Sequence, residues 1–315
     1  MNTDRLDDLL NNGFEDGLEG VIDAETGLFA LVIQIVRDYL VRGNLVSDET
    51  DFRVLRAIEE AVLQAVRDSG YVDTIDDFVP LIDDIATETT NLTVLANERV
   101  RFNRNVVNLT QEKNIAIEEL VTALNGADSI KTNLSNPIRS IIYQAIQSNA
   151  TLEDAEALLR PLIIGDSARG GLLARYYRTI AIDALNGWSG TVQDKIASTY
   201  GLIDFMYTGS TITTTRPQCS RWISNYNGLL IKEVLERELQ EARRSIRTRT
   251  SRFSGYSLLN APSAVNFGRV RGGHRCRHLA ISFLATEEEA EQAIRLYNST
   301  ENRRVTLKYQ EQRAS

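Results

Sequence analysis

The sequence contains few of the residues on which many enzymes and metal proteins depend. Its 315 residues include only two cysteines, two histidines and five lysines. Two cysteines cannot form a disulfide framework, and two histidines supply little general acid–base chemistry. The sequence also lacks a phosphate-binding loop of the Gly-x-x-x-x-Gly-Lys type and a dinucleotide-binding fingerprint. We therefore expect that the chain is not an enzyme.

Long apolar stretches are missing as well. The most apolar stretch, residues 28–36, is interrupted by Gln34, whereas a membrane-spanning helix needs about 20 apolar residues. The start of the chain is acidic, with Asp4, Asp7 and Asp8, whereas a secretory signal begins with basic residues and continues with apolar ones. We therefore expect synthesis in the cytoplasm and no contact with a membrane.

What the sequence does contain is an uneven distribution of charge. Residues 1–100 carry 7 basic against 22 acidic side chains, and residues 101–315 carry 28 against 21. Between positions 243 and 277 there are arginines but no acidic residues. These arginines are Arg243, Arg244, Arg247, Arg249, Arg252, Arg269, Arg271, Arg275 and Arg277. Because guanidinium groups bind carboxylates and phosphates in pairs of hydrogen bonds, this run is a candidate contact for an anionic protein surface or for DNA. The alternative is that the arginines are solvated or pair with the acidic first third.

Helical periodicity runs through the first two thirds of the chain. Apolar residues recur three and four positions apart over residues 24–42, 48–70 and 90–124, which predicts a helix in each range. The last helix would be about 50 Å long if it were continuous. A helix over residues 168–185 is predicted to end at the glycines that follow it.

The residue pattern changes near position 200. β-Branched and aromatic residues predict short strands within residues 202–215 and 278–283. The predicted fold class is therefore mainly α, with an extended helical N-terminal region followed by a small α+β module. The predicted domains are a helical N-terminal region (1–164), an α+β module (165–285), and a C-terminal helix and strand (286–315).

The cysteines and histidines all lie in the C-terminal third, as Cys219, His274, Cys276 and His278. Thiolates and imidazoles bind zinc, so a structural zinc site formed by these four residues is one alternative. On an extended strand His274 and His278 would lie about 13 Å apart, so such a site needs a turn between them. A disulfide and a Cys–His nucleophilic pair are further alternatives. We favour a buried polar contact that joins two loops, without a cofactor.

Two sequence elements resemble a known family when they are taken together. The first is Met-Tyr-Thr-Gly at residues 206–209, followed by Thr-Thr-Arg-Pro-Gln-Cys at residues 214–219. The second is Arg-Gly-Gly-His-Arg-Cys-Arg-His at residues 271–278. The pair is similar to the Thr-Arg-Pro-x-Cys and Gly-Gly-x-x-Cys-Arg-His elements of the phage head morphogenesis domain, the Mu F-like minor head protein family. The resemblance covers about residues 165–285. It departs after Cys219, where that family commonly has a Gly-Lys turn and this chain has Ser-Arg-Trp.

The two elements suggest a structural latch, in which two cysteine-bearing loops fold against each other. Its predicted members are Arg216, Pro217, Cys219, Gly272, Gly273, His274, Cys276, Arg277 and His278. Gly272 and Gly273 would allow a sharp turn, and Pro217 would hold an extended approach to the first cysteine. Arg216 and Arg277 would clamp the loops through paired hydrogen bonds.

The resemblance implies a minor head or capsid protein of a tailed phage. Such a protein acts in procapsid assembly at or near the portal vertex, in several copies per particle. The expected partners are the portal protein and the major capsid protein, and packaged DNA is a further candidate, with effects on DNA packaging or ejection. The expected location is the virion, in the head interior or at the portal vertex, after assembly in the host cytoplasm. Two alternatives are a zinc- or cysteine-dependent nuclease-like enzyme and an internal protein that lines the DNA or is ejected with it.

Overall fold

The structure is a computed structural model that describes most of the chain. The described residues are 3–40, 48–68, 78–103, 107–148, 150–166, 169–209, 211, 215–248, 267–270 and 278–301.

Helices make up most of the described residues, which confirms the predicted fold class. The longer helices are α1 (Asp4–Asn11), α2 (Glu15–Leu40), α3 (Asp48–Asp68), α4 (Phe78–Ala96), α5 (Thr110–Asn125), α7 (Asn136–Gln147), α8 (Leu152–Ile163), α9 (Leu172–Tyr200), α10 (Pro217–Ser224), α11 (Lys232–Thr248) and α13 (Glu287–Glu301). The short ones are α6 (Ala127–Ile130), a π-turn (Lys131–Ser135) and α12 (Phe267–Val270). The strands are β1 (Gly165–Asp166), β2 (Arg169–Gly170), β3 (Asp204–Thr208), β4 (Leu229–Leu230) and β5 (Leu279–Phe283).

The chain divides into two compact units, each made of several stretches. One unit comprises Met1–Leu10, Ile82–Asn114 and Asp183–Ser315, and the other comprises Asn11–Leu81 and Ile115–Ile182. We call them the sheet unit and the helical unit. The predicted domains 1–164, 165–285 and 286–315 follow chain order, and that division stays a prediction.

The helical unit is built around α2. Helices α3 and α8 pack on α2, and α7 packs on both α3 and α8. The side chains of α2 that face its neighbours include Val21, Leu28 and Val32, which are almost fully buried. A capping box begins α8 as the sequence indicates, because the Thr151 hydroxyl accepts from the Asp154 backbone N–H and the Asp154 carboxylate accepts from the Thr151 N–H.

The sheet unit contains a three-stranded antiparallel sheet in the order β4-β3-β5. Its core consists of side chains from the sheet and from α10, α11, α12 and α13, including Phe205, Trp222, Tyr226, Phe267 and Tyr297. A second capping box, formed by Thr286 and Glu289, begins α13. The strand predicted within residues 278–283 and the predicted C-terminal helix are therefore confirmed, whereas the predicted C-terminal strand lies outside the described residues.

A row of buried polar contacts fixes β5 in the sheet unit. Thr89 on α4 contacts Ser189 on α9 (3.2 Å between hydroxyl oxygens), and one turn later Thr93 donates to the side chain of Gln193 (3.1 Å). Gln193 in turn accepts from the backbone N–H of Ser282 in β5 (3.0 Å). Because buried polar groups are costly unless paired, this row selects one position of β5 against the two helices.

The continuous helix predicted over residues 90–124 is wrong. Helix α4 ends at Ala96 and α5 begins at Thr110. The side chain of Asn97 bonds to backbone groups of β5 and the residues after it, and Asn108 accepts from the backbone N–H of Thr110 (2.9 Å). Asparagine competes well for backbone groups in this way, so it ends one helix here and caps the next.

The predicted break at Gly187 and Gly190 is also wrong, because α9 continues through both glycines to Tyr200. A glycine inside a helix weakens it by only about 1 kcal/mol relative to alanine, so packing can override the preference. The indole N–H of Trp188 donates to the carbonyl of Ile82 (2.7 Å), which holds the helix at this point. The helix predicted from residue 24 begins earlier, at Glu15.

Candidate functional site

Strand pairing brings the two family-like elements together. Strand β3 belongs to the first element and pairs antiparallel with β5, with Tyr207 opposite Ala280 and Thr208 opposite Leu279. Since the second element ends at His278, directly before β5, its last residue must lie next to Gly209, directly after β3. A Cβ atom on Gly209 would stand 2.8 Å from Cδ2 of His278, and the φ of Gly209 is +139°. This position therefore requires glycine.

Tyr207 is the centre of this contact. Its hydroxyl donates to the Sγ atom of Cys219 (3.1 Å), and its ring stacks on the ring of His278 with centroids 5.4 Å apart. The Trp222 ring meets Tyr207 edge-on at 5.0 Å. All four side chains are buried. We call Tyr207, Cys219, Trp222 and His278 the Tyr207 cluster.

Cys219 lies on a helix and not on an extended bend, so the predicted role of Pro217 is wrong. Arg216 has extended backbone angles, and Pro217 is the first residue of α10. Proline suits this position because its fixed φ is helical and it has no N–H to leave unpaired. Helix α10 then turns Cys219 and Trp222 towards Tyr207, while Arg216 remains half-buried at the start of the helix.

The rest of the predicted latch lies outside the described residues. These members are Gly272, Gly273, His274, Cys276 and Arg277. The contact between the two cysteines and the clamp by Arg216 and Arg277 therefore stay predictions. Of the four predicted zinc ligands the structure describes Cys219 and His278, and within the described part of the chain no group of three or more metal-binding side chains occurs.

The arginine run is described only in part. Arg243 and Arg244 are exposed near the end of α11. Arg247 lies in the same helix and Arg269 lies in α12. The structure describes the backbone of these two residues and not their side chains. Arg249, Arg252 and Arg271 lie outside the described residues, as do the neighbouring Arg275 and Arg277. A role of the run in binding anions stays a prediction.

Sequence reasoning missed Glu238, which joins α11 to α10 beside the Tyr207 cluster. Its carboxylate is fully buried and accepts from the Trp222 indole N–H (2.7 Å), the Tyr226 hydroxyl (3.2 Å) and the Arg221 guanidinium. A signal for it exists in the sequence, because Glu238 falls on the apolar face of α11 with Val234, Leu235 and Leu239. An acidic residue on such a face needs buried partners.

Asp204 is a second missed residue, at the start of β3. Its carboxylate is fully buried and accepts from the backbone N–H groups of Lys232 (2.8 Å) and Ala285 (2.9 Å). These bonds tie the beginning of α11 and the segment after β5 to β3. Asp204 and Glu238 thus stabilise the scaffold that holds the Tyr207 cluster.

An open cavity of about 220 Å³ also lies in the sheet unit, between α4, the end of α9 and the segment before α5. Its lining is mainly apolar and includes Val94, Phe102, Leu109, Ile196 and Tyr200. The Tyr200 hydroxyl already bonds to both backbone groups of Asn103 (2.6 and 2.9 Å). None of the described residues that line the cavity is charged.

No protein-family model, curated protein or solved structure matches the chain. Among the described residues, no helix is both long and apolar enough to cross a membrane. The geometry of the Tyr207 cluster is that of a packed core. Cys219 is buried against aromatic rings, and its sulfur accepts a hydrogen bond from the Tyr207 hydroxyl.

Proposed function

We propose that the chain is a minor head protein of a tailed phage, a structural protein that acts in procapsid assembly at or near the portal vertex. In this proposal it binds the portal protein and the major capsid protein, stays in the virion in several copies, and influences DNA packaging or ejection. Its chemistry is that of an assembly component and not of an enzyme.

The observation that supports the proposal is the contact between the two family-like elements. They are about 60 residues apart in the chain, and nothing local requires them to meet. The first element supplies Tyr207, Gly209 and Cys219, and the second supplies His278. His278 packs on Tyr207 and lies against Gly209. The first element and the last residue of the second therefore pack against each other, as a shared domain requires.

A test of the proposal is reconstitution with capsid components. The full chain would be co-expressed with the portal and major capsid proteins of a tailed phage, and particles would be purified by density gradient. We expect the chain to co-sediment with procapsids in a fixed stoichiometry and to be retained on immobilised portal protein. Omission of the chain should lower the yield of procapsids or of heads filled with DNA.

Two results would contradict the proposal. One is a chain that stays monomeric and unbound to portal and capsid proteins at both low and physiological salt, with normal heads in its absence. The other is stoichiometric zinc together with nuclease turnover that is lost in His274→Ala and Cys276→Ala variants that still fold. That second result would establish the enzyme alternative.

Contact with packaged DNA is the part of the proposal that rests on the arginine run. The exposed Arg243 and Arg244 on α11 favour it. Because phosphate binding releases counterions, DNA affinity should fall steeply with salt, and the R243A/R244A variant should reduce the slope of log K against log salt by up to about 2. The matched control is R99A/R101A, two exposed arginines outside the run. A DNA affinity that does not change with salt would exclude direct contact with DNA. The assembly role would then be tested by the reconstitution alone.

A further inference from the structure

The open cavity of the sheet unit has walls from three elements. Helix α4 lines one wall with Val94, the end of α9 lines a second with Ile196 and Tyr200, and the segment before α5 forms the third with Phe102 and Leu109. These walls are mainly apolar, so water inside the cavity finds few hydrogen-bond partners. An apolar group that displaces this water is therefore favoured.

Polar contacts hold the third wall in place beside the cavity. The Tyr200 hydroxyl donates to the Asn103 carbonyl (2.6 Å) and accepts from the Asn103 N–H (2.9 Å), which ties this wall to α9. At the start of α5, Lys113 pairs with Asp83 on α4 (2.7 Å). The space between the walls thus exists before any ligand arrives, and a site formed in advance costs less to occupy.

The size and the hydroxyl groups of the cavity favour one aromatic ring as its occupant. The Thr90 hydroxyl donates to the Ala86 carbonyl (2.7 Å), and the Tyr200 hydroxyl is engaged by backbone. An apolar cavity of about 150 Å³ binds benzene, so the volume of about 220 Å³ fits a somewhat larger ring such as indole. Pockets for whole small-molecule ligands usually measure about 300–1,000 Å³. The rings of Phe102 and Tyr200 can contact an inserted ring edge to face.

The surface next to the cavity is basic and partly apolar. Arg99 and Arg101, in the segment that leads to the third wall, are exposed and outnumber the exposed Glu98. Leu95, which follows the lining residue Val94 on α4, is 60% exposed. Two further carboxylates near the cavity have lysine partners, in the pairs Asp83–Lys113 and Glu112–Lys195. A partner that inserts a ring here therefore gains from carboxylates beside that ring.

We propose that the cavity is a docking site for a segment of another protein, which inserts one aromatic side chain and places acidic residues beside Arg99 and Arg101. The ring supplies the buried contact at the centre, and the carboxylates supply a charged rim, as in other protein interfaces. Because both arginines are exposed, they set the orientation of the segment more than its affinity. This inference does not depend on the proposed function.

The test is NMR of the full chain with labelled methyl groups, titrated with the peptide acetyl-Asp-Glu-Trp-Glu-Asp-amide. An inserted indole shifts nearby signals through its ring current, so the methyl signals of Val94, Leu109 and Ile196 should move and saturate with a Kd of about 1 mM or lower. The same peptide with alanine in place of tryptophan should give no saturable shift. A peptide with serines in place of the acidic residues should bind about 3–10-fold more weakly.

One variant tests the cavity itself. Val94→Phe fills the space and should weaken binding of the acidic peptide about 10-fold or more, because the indole no longer fits. Val121→Phe, the same change at an exposed position of α5 outside the lining, is the matched control and should keep the wild-type affinity.

A second variant tests the charges and decides the matter if Val94→Phe does not fold. Arg99→Glu/Arg101→Glu should bind acetyl-Lys-Lys-Trp-Lys-Lys-amide more tightly than the acidic peptide, which reverses the wild-type order. Arg37→Glu/Arg67→Glu, two exposed positions elsewhere in the chain, should keep that order.

Three results would overturn the proposal. One is the absence of a saturable shift at Val94, Leu109 and Ile196 up to about 10 mM acidic peptide. Another is binding of free indole as tight as that of the acidic peptide, which would make the cavity a site for small aromatic molecules. The third is movement of the same signals when the chain alone is concentrated, which would assign the cavity to a second copy.

Discussion

The side-chain amide of Asn97 donates a hydrogen bond to the carbonyl of Ser282 at 2.9 Å, across 185 positions of the chain. The Asn97 side-chain oxygen accepts from the backbone N–H of Leu284, also at 2.9 Å. Asn97 follows the last residue of α4, and Ser282 lies in β5. One side chain therefore pairs with the backbone of β5 as a neighbouring strand would. It fixes the strand whose first residue follows His278, and so the position of the Tyr207 cluster.

Replacement of Asn97 by alanine should destabilise the chain by about 2–4 kcal/mol, because two buried backbone groups lose their partner. Urea unfolding followed by circular dichroism measures the change. The control is Asn114→Ala at an exposed position of α5, which should stay within about 0.5 kcal/mol of the wild type. A loss below 1 kcal/mol for Asn97→Ala would mean that water or another group replaces the amide.

Replacement of Glu238 by alanine should lower the free energy of unfolding by about 3–5 kcal/mol, because Arg221 would lose its buried counter-charge. Glu238→Gln should lie between alanine and the wild type, since an amide oxygen still accepts from the Trp222 indole. Glu236→Ala, half-buried on the same helix, is the control. A Glu238→Gln variant as stable as the wild type would show that the charge of Glu238 is unimportant.

Two glycines should respond in opposite directions to alanine substitution. Gly209→Ala should destabilise by about 1–3 kcal/mol, because the new Cβ would strike His278 at a backbone conformation that disfavours alanine. Gly187→Ala in α9 should stabilise by about 0.5–1 kcal/mol, since a Cβ there meets nothing within 4 Å and alanine is the better helix former. Thermal unfolding of both variants measures the difference. A neutral or stabilising Gly209→Ala would contradict the described contact at His278.

The Cys219 thiol should react slowly while the chain is folded. It is 1% exposed and packs in the Tyr207 cluster, so alkylation requires local opening. After reduction, labelling with iodoacetamide should be slower by about 100-fold or more than in urea, as followed by mass spectrometry of the Cys219 peptide. Rapid labelling in the native state would show that Cys219 lies at a surface.

The elements that the sequence predicted well are those with local signals. Both capping boxes, at Thr151 and Thr286, lie where their spacing indicates. The helix predicted over residues 48–70 begins at Asp48, and the strand that ends at Phe283 matches its run of apolar residues. Each of these signals involves residues within a few positions of one another, so the sequence alone contains the interaction.

The wrong predictions of helix boundaries lie where contacts between residues far apart in the chain determine the backbone conformation. The break after Ala96 depends on bonds from Asn97 to β5, and the continuity of α9 through Gly187 depends on packing that includes the bond from Trp188 to Ile82. Glycine and asparagine have weak local preferences that a tertiary contact can override in either direction.

For the candidate site, the sequence identified Cys219 and His278 but not the side chain that joins them. Tyr207 was part of a motif, and only strand pairing reveals that its ring contacts both residues. Glu238 and Asp204 were missed because acidic residues are usually exposed, and their partners lie on other elements.

The amino-acid order alone determined the capped helix starts at Thr151 and Thr286, the division of charge between the first third and the rest, and the spacing of the two family-like elements. Tertiary structure alone decided that β3 and β5 pair, that Tyr207 meets His278, and that Glu25 reaches the start of α9. The physical reason is that capping and periodicity act over one or two turns of chain. Burial of a polar group, by contrast, needs partners that only the folded chain brings near it.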